Sequence, residues 1–145
     1  MLNDVGAVCI AGGHVGILVN RVRLFGVPSL VGDRPLIGWS GGAMALSERI
    51  VLFHDSPPQG PGNAEVFGPA LGLCRGVVPL PHASERLRLD DTTRVSLFAR
   101  RFRPDLCVAL DAGRRIDWDG TNWTPHHDTE QLAEGGQLVA VGGDE

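Results

Sequence analysis

A serine lies at the centre of a G-x-S-x-G motif, the pattern of a nucleophile elbow. The motif runs from Gly38 to Gly42 and places Ser40 directly after the apolar segment Pro35–Trp39. In such an elbow a strained strand-to-helix turn exposes the serine hydroxyl. The residues two before and two after it must be small because the flanking backbone comes close. The backbone N–H of Gly41 is then free to donate to an oxyanion. The motif predicts a nucleophilic serine, and an ordinary glycine-rich turn is the alternative.

A serine hydroxyl is a weak nucleophile without a base, and His82 is the best-placed histidine. It follows the apolar segment Arg75–Leu80, and Pro81 keeps the residue before it extended. The imidazole is therefore expected just beyond the end of a strand. His54 is the rival because Asp55 follows it, but adjacent residues on an extended segment point to opposite sides.

Two aspartates are candidates for the acid that orients this histidine. Asp55 follows the predicted strand Arg49–Phe53, near the elbow in chain order, although starting the turn Ser56–Pro58 is its alternative role. Asp111 follows another predicted strand, Leu106–Leu110, and is the second candidate. The sequence thus predicts a serine, a histidine and one of two acids at the ends of strands.

The other glycine and histidine clusters favour neither a nucleotide nor a metal. The turn Gly12-Gly13 lacks G-x-G-x-x-G spacing and a Walker lysine, so we expect Gly13 to supply a second oxyanion N–H. The segment His126–Asp128 has the residue types of metal ligands but is a weak signal. The three cysteines are too far apart in sequence for a CxxC pair. We expect no metal, no disulfide framework and no cofactor.

The composition predicts one folded domain over residues 1–145. Hydrophobic residues make up 43% of the chain and charged residues 21%, which excludes a mostly disordered chain. Thirteen basic residues against seventeen acidic ones give a net charge of −4, so the overall charge does not attract nucleic acid or an anionic membrane surface. No apolar segment approaches the roughly 18 residues of a membrane-spanning helix. We expect a cytoplasmic protein.

Strands and helices alternate along the predicted secondary structure. Beyond the strands above, the patterns predict strands at Val5–Ala11, Arg114–Trp118 and Gln137–Val141, helices at Gly16–Phe25 and Asp91–Phe102, and a site lid or binding loop at Asp55–Pro69. This alternation predicts an α/β domain, a mainly parallel sheet with helices on both faces. Ligands of such sheets bind at the carboxyl ends of the strands.

Three segments together resemble the serine peptidases related to dipeptidase E and cyanophycinase. The segments AGGHVGILVNRVR, PLIGWSGGAMAL and VVPLPHASERLR resemble the family's GGN-type loop, G-x-S-A-G-A elbow and P-H-F-x-x-R segment. The HDSPP turn adds to the resemblance. It implies the three-layer, flavodoxin-like fold of class I glutamine amidotransferases. It also implies Ser40 as nucleophile, His82 as base and Asp55 as third member, with oxyanion N–H groups from Gly13 and Gly41.

The departures from the family pattern concern the walls of the pocket. His14 stands where the family usually has asparagine or a similar polar residue, Ala83 where it has an aromatic residue, and Gly41 where it has alanine. Arg86 matches the arginine that follows the family's histidine, so the resemblance makes His14 and Arg86 candidates for substrate binding. The chain resembles the C-terminal two thirds of a family member, and we expect a family domain without its N-terminal part.

These patterns predict a hydrolase that cleaves a peptide or isopeptide bond, or a small amide, through an acyl-Ser40 intermediate. We also expect self-association into a homo-oligomer. A glutamine amidotransferase-like protein of other specificity is one alternative, although that class usually needs a cysteine at the elbow. The other alternative is an inactive or truncated paralogue that serves as a binding or assembly module.

Overall fold

The computed structural model describes residues 4–54 and 64–142 of the chain, and these residues form ten short strands and five helices. The strands are β1 (Val8–Ile10), β2 (Leu36–Gly38), β3 (Arg49–Leu52), β4 (Glu65–Pro69), β5 (Val77–Pro81), β6 (Leu106–Leu110), β7 (Arg115–Trp118), β8 (Trp123–His126), β9 (Glu130–Leu132) and β10 (Leu138–Ala140). The helices are α1 (Val15–Leu24), α2 (Val27–Val31), α3 (Gly41–Leu46), α4 (Ala83–Arg86) and α5 (Thr92–Arg101).

Two pairs of strands are parallel, and helices connect the members of each pair. β1 pairs with β2, with Cys9 opposite Ile37, and α1 and α2 form the connection between them. β5 pairs with β6, from Val77 opposite Leu106 to Pro81 opposite Leu110, and α4 and α5 lie between these strands in the chain. Both connections contain helices because a parallel pair needs a crossover of about a dozen residues or more.

The predicted three-layer, mainly parallel, flavodoxin-like sheet with helices on both faces is wrong. The described residues form a four-stranded sheet in the order β10-β9-β6-β5 and three two-stranded sheets, and β3/β4, β7/β8, β6/β9 and β9/β10 are antiparallel pairs. The physical reason is the length of the connections. Residues 119–122 join β7 to β8 and residues 133–137 join β9 to β10, which is enough for a hairpin but too short for a crossover.

Several individual elements nevertheless follow their local patterns. The helix predicted at Asp91–Phe102 is α5, and the Asp91 carboxylate caps it by accepting from the Arg94 N–H at 3.0 Å. Helix α1 ends at Leu24, one residue from its predicted end, and a second short helix, α2, follows with Pro28 in its first turn. The end of the predicted loop Asp55–Pro69 is strand β4, and its beginning lies outside the described residues.

The main core packs α3 and α5 against β3, β5 and β6. Three aromatic rings form part of it, with centroids 6.3 Å apart for Phe53 and Phe98 and 5.2 Å apart for Phe98 and Phe102. Every residue of β5 is buried, including Pro79. β5 is an edge strand of its sheet, where a proline without an N–H is tolerated. The core therefore supports the strand that leads to His82.

None of the helices in the described residues could cross a membrane. The longest, α1 and α5, have ten residues each, or about 15 Å at 1.5 Å per residue, half the thickness of a bilayer core.

Candidate active site

Ser40 occupies the sharp turn between β2 and α3. Its backbone has φ 54° and ψ −119°, and it is the N-cap residue of a helix that begins at Gly41. Positive φ is uncommon for residues other than glycine and occurs where the surrounding structure imposes it. A strained strand-to-helix turn of this kind is the geometry of a nucleophile elbow.

Both flanking glycines of the motif lack room for a side chain. A Cβ at Gly42 would overlap the carbonyl oxygen of Ile10 and lie 2.7 Å from its carbonyl carbon. A Cβ at Gly38 would lie 2.7 Å from Leu46 Cδ1 and 3.0 Å from the backbone nitrogen of Ala43. The small residues expected two before and two after the serine are therefore required by contacts in this fold.

The Gly12-Gly13 turn lies directly against the elbow. A Cβ at Gly12 would be 3.2 Å from Ser40 Oγ, and a Cβ at Gly41 would be 2.8 Å from the oxygen and 3.5 Å from the nitrogen of Gly13. The backbone of the two residues expected to form an oxyanion hole is thus brought together. The same contact explains why glycine stands at position 41, since alanine there would press on the Gly13 carbonyl.

Ser40 opens into a cavity of about 220 Å³ that gathers five predicted site residues. The cavity is lined by Gly13, His14, Ser40, Gly41 and Arg86, together with Val15, Met44, Leu52 and Phe67. The sequence patterns did not identify the last four residues as part of the site. Three of them belong to apolar segments that also build the core, so pattern alone does not separate a pocket wall from core packing. Phe67 falls in the segment predicted as a lid or binding loop.

His82 does not line this cavity. It is the N-cap residue of α4, with φ 56° and ψ 43°, and its N–H donates to the Leu110 carbonyl at 3.2 Å. Its side chain is 47% exposed, and Nδ1 lies 3.9 Å from Glu85 Oε2. Within the described residues, no hydrogen bond joins it to Ser40 Oγ. Arg86 is the last residue of the helix that His82 caps, and it lines the cavity. The two positions are four residues apart in the chain, so their backbones lie about 6 Å apart along the helix axis.

The two candidate acids have different outcomes. Asp55 lies outside the described residues. Asp111 follows β6 directly, and its Oδ1 accepts from the Ser84 N–H at 3.1 Å. Because β5 and β6 are parallel and end in register, His82 and Asp111 leave the sheet at the same edge. Asp111 therefore supports the first turn of the helix that begins after His82.

Arg86 and His14 are each held in place by a neighbouring group. The Arg86 guanidinium lies over the ring of Phe53, 5.9 Å from its centroid. His14 is the N-cap residue of α1, and its Nδ1 accepts from the Ile17 N–H at 3.4 Å. That acceptor role leaves the proton of a neutral imidazole on Nε2.

The remaining histidines and cysteines do not extend the site. His126 Nε2 lies 3.0 Å from Asp117 Oδ2 on the β7–β8 hairpin. In the described part of the chain, no three His, Cys, Asp or Glu side chains could hold a metal ion together. Burial raises the pKa of the Cys74 thiol to about 11. The pKa of the Cys107 thiol is raised to about 12, mainly by burial and to a smaller extent by Asp105, whereas Arg49 lowers it. Both thiols are therefore protonated and poor nucleophiles at neutral pH.

A larger groove of about 790 Å³ shares only Gly38 with the elbow motif. Strands β2 and β5, the C-terminal part of α3 and the β7–β8 hairpin line it, and its charged side chains include Arg115 and Asp117, which pair at 3.0 Å. It contains neither Ser40 nor His82.

No protein-family model matches this sequence, and a search of curated proteins likewise finds no match.

Proposed function

We propose that the chain is a serine hydrolase that cleaves a peptide, isopeptide or small amide bond, with Ser40 as the nucleophile. The observation that carries the proposal is the backbone of Ser40, at φ 54° and ψ −119° between two glycines that have no room for a Cβ. This conformation is costly for serine. A turn without a catalytic role does not require serine at this position, whereas a nucleophile elbow requires the serine hydroxyl there.

The proposed reaction is acyl transfer to Ser40. Its Oγ attacks the carbonyl carbon while His82 accepts the hydroxyl proton, and the N–H groups of Gly41 and Gly13 stabilise the oxyanion. The C–N bond then breaks, and His82 gives its proton to the leaving amine. Water hydrolyses the resulting ester with His82 again as base, which restores the serine hydroxyl. The reaction requires the His82 side chain to turn from Glu85 toward Ser40, and catalytic hydrogen bonds are often loose in free enzymes.

Asp55 or Asp111 is the proposed acid that orients His82. Asp55 is the choice that the family resemblance implies. Asp111 is supported by its place beside His82 at the end of the paired strands. We further propose, from the three sequence segments alone, that the chain is related to the serine peptidases similar to dipeptidase E and cyanophycinase.

Arg86 and His14 are the proposed substrate-binding residues. Among the described side chains that line the cavity, Arg86 supplies the one formal charge, and the guanidinium of this half-buried residue is suited to a carboxylate of the substrate.

A binding module is the second candidate function, and one observation favours it. In the described residues His82 makes no hydrogen bond with the serine it would have to activate, and its side chain is 47% exposed. A serine without a base is a weak nucleophile. In this alternative the elbow is a packing motif and the cavity binds a ligand without cleaving it.

A fluorophosphonate probe tests the proposal. An activated Ser40 Oγ bonds to phosphorus, fluoride leaves and the proton passes to the base, so we expect intact-mass analysis to show one adduct at Ser40. The Ser40→Ala variant should take up none, and Ser29→Ala, which changes an exposed serine on α2, should label like the wild type. Loss of the nucleophile should lower amide hydrolysis by about four to six decades. A folded wild-type protein that takes up no probe would favour the binding module.

A further inference from the structure

We infer that an aromatic wall formed by Phe67 and His14 selects substrates with an apolar, preferably aromatic, side chain on the acyl part. This inference rests on the proposed function, since it assigns a substrate class to the Ser40 cavity. The two rings line the same cavity as Ser40 and meet edge to face, with centroids 6.4 Å apart and an interplanar angle of 74°.

Phe67 is placed as a wall and not as a core residue. It lies on β4 and is 55% exposed, whereas Phe53 and Phe98 of the core are buried. An exposed aromatic ring that lines a cavity together with a candidate nucleophile offers a ligand apolar surface, about half of which the described residues leave uncovered.

A glycine in the first turn of α1, Gly16, makes room for this ring. A Cβ at Gly16 would lie 2.9 Å from Phe67 Cε1 and 3.4 Å from His14 Cε1. Glycine has a lower helix propensity than alanine, so packing against the ring gives a reason for glycine at this position. The presence of glycine at this position lets the Phe67 ring lie directly on the backbone of the helix that His14 caps.

The rest of the cavity suits one apolar side chain. Val15, Met44 and Leu52 contribute apolar surface, and the volume of about 220 Å³ equals roughly seven water molecules at ~30 Å³ each. That space fits an aromatic or branched side chain next to the scissile carbonyl. Aromatic rings bind preferentially to other rings edge to face or offset-stacked.

Two phosphonofluoridate probes, one with a benzyl and one with a methyl group on phosphorus, test the wall by their rates of Ser40 labelling. The phosphorus substituent takes the place of the acyl side chain. We expect the wild type to react about tenfold faster with the benzyl probe, and Phe67→Ala to reduce this preference to about twofold. Phe25→Ala should keep the full preference, because Phe25 is also an exposed phenylalanine, at the end of α1, and does not line the cavity.

Two further variants separate the wall from helix stability. Gly16→Ala should lose selectivity although it introduces a better helix former, because its Cβ displaces the Phe67 ring. His14→Asn keeps an N-cap side chain but removes the ring, so it should weaken the benzyl preference about threefold with little change in melting temperature. Equal rates for both probes in the wild type would overturn the inference and leave the hydrolase proposal standing.

Failure of both probes to react would instead count against the hydrolase, and a binding measurement then decides the wall. N-acetylphenylalaninamide and N-acetylalaninamide are titrated into Ser40→Ala and followed by NMR. We expect the phenylalanine compound to bind about tenfold more tightly and to shift the Phe67 and His14 signals. Equal affinities, or no shifts at these residues, would overturn the inference.

Discussion

Ser40 and His82 share an unusual backbone state. Both have positive φ, which costs of the order of 1–3 kcal/mol for a residue other than glycine. The contacts that impose it are visible at each position, namely the close packing of Gly42 on Ile10 and the hydrogen bond from the His82 N–H to the Leu110 carbonyl. His127 also has positive φ, on the β8–β9 turn. Positive φ therefore indicates a candidate site only where residues able to do chemistry lie around it.

Replacing His82 with alanine should abolish hydrolysis nearly as completely as replacing Ser40, because the nucleophile and its base act as one unit. His54→Ala, His126→Ala and His127→Ala are the controls, and each should retain turnover within about threefold. Steady-state kinetics on one amide substrate compare the five variants. An active His82→Ala beside an inactive His54→Ala would show that the base is misassigned.

At the scale of elements, the elbow depends on how closely α3 approaches β1. In Gly42→Ala the new Cβ would overlap the Ile10 carbonyl, so β1 and α3 must move apart. We expect a loss of about 3 kcal/mol in the free energy of unfolding, although alanine is the better helix former. Urea denaturation measures it. Gly6→Ala is the matched control, because a Cβ at Gly6 meets no atom within 4 Å, and a similar loss in both variants would refute the packing argument.

The β7–β8 hairpin should weaken in acid. The backbone N–H groups of Asn122 and Thr121 donate to the Asp119 carboxylate and hold the pKa of Asp119 below its ordinary value. A carboxyl whose pKa is lower in the folded state contributes stability above its unfolded pKa, and this is lost as pH falls through the folded value. NMR titration should show the amide signals of Thr121 and Asn122 moving with that of Asp119. Asp119→Ala should remove this transition, and a persistent transition would place its origin elsewhere.

At the scale of the whole molecule, one arginine ties the sheet of β3 to the sheet of β6. Arg49 donates through Nε to Asp105 Oδ2 at 3.1 Å and through Nη2 to the same oxygen and to the Phe102 carbonyl, and its guanidinium lies over the Phe102 ring. The Asp105 side chain is only 10% exposed. Removing its partner therefore leaves a poorly solvated carboxylate.

Arg49→Ala should lower the free energy of unfolding by about 2 kcal/mol. Arg101→Ala is the matched control, since Arg101 lies over the same ring from α5, and its loss should stay within about 0.5 kcal/mol. A double-mutant cycle with Asp105→Asn isolates the pair. A coupling energy near zero would show that the Arg49–Asp105 pair does not hold the two sheets together.

The sequence by itself determined the local features of this protein. The G-x-S-x-G pattern is a steric requirement within five residues, and the structure meets it with a strained Ser40 between crowded glycines. Strand β6 and helix α5 follow their patterns for the same reason, because apolar runs and an Asp cap act over a few residues. The catalytic roles, the substrate and homo-oligomerisation stay predictions.

Only the tertiary structure decided the direction of the strands and the membership of the cavity. Alternating strands and helices suggested a parallel sheet, but the short connections after β6 turned the chain back into antiparallel pairs. Phe67 from β4 and Arg86 from α4 line the same cavity as Ser40 across separations of 27 and 46 residues. Such long-range contacts depend on how apolar faces pack together, and periodicity within one segment carries no information about which distant segment will cover it.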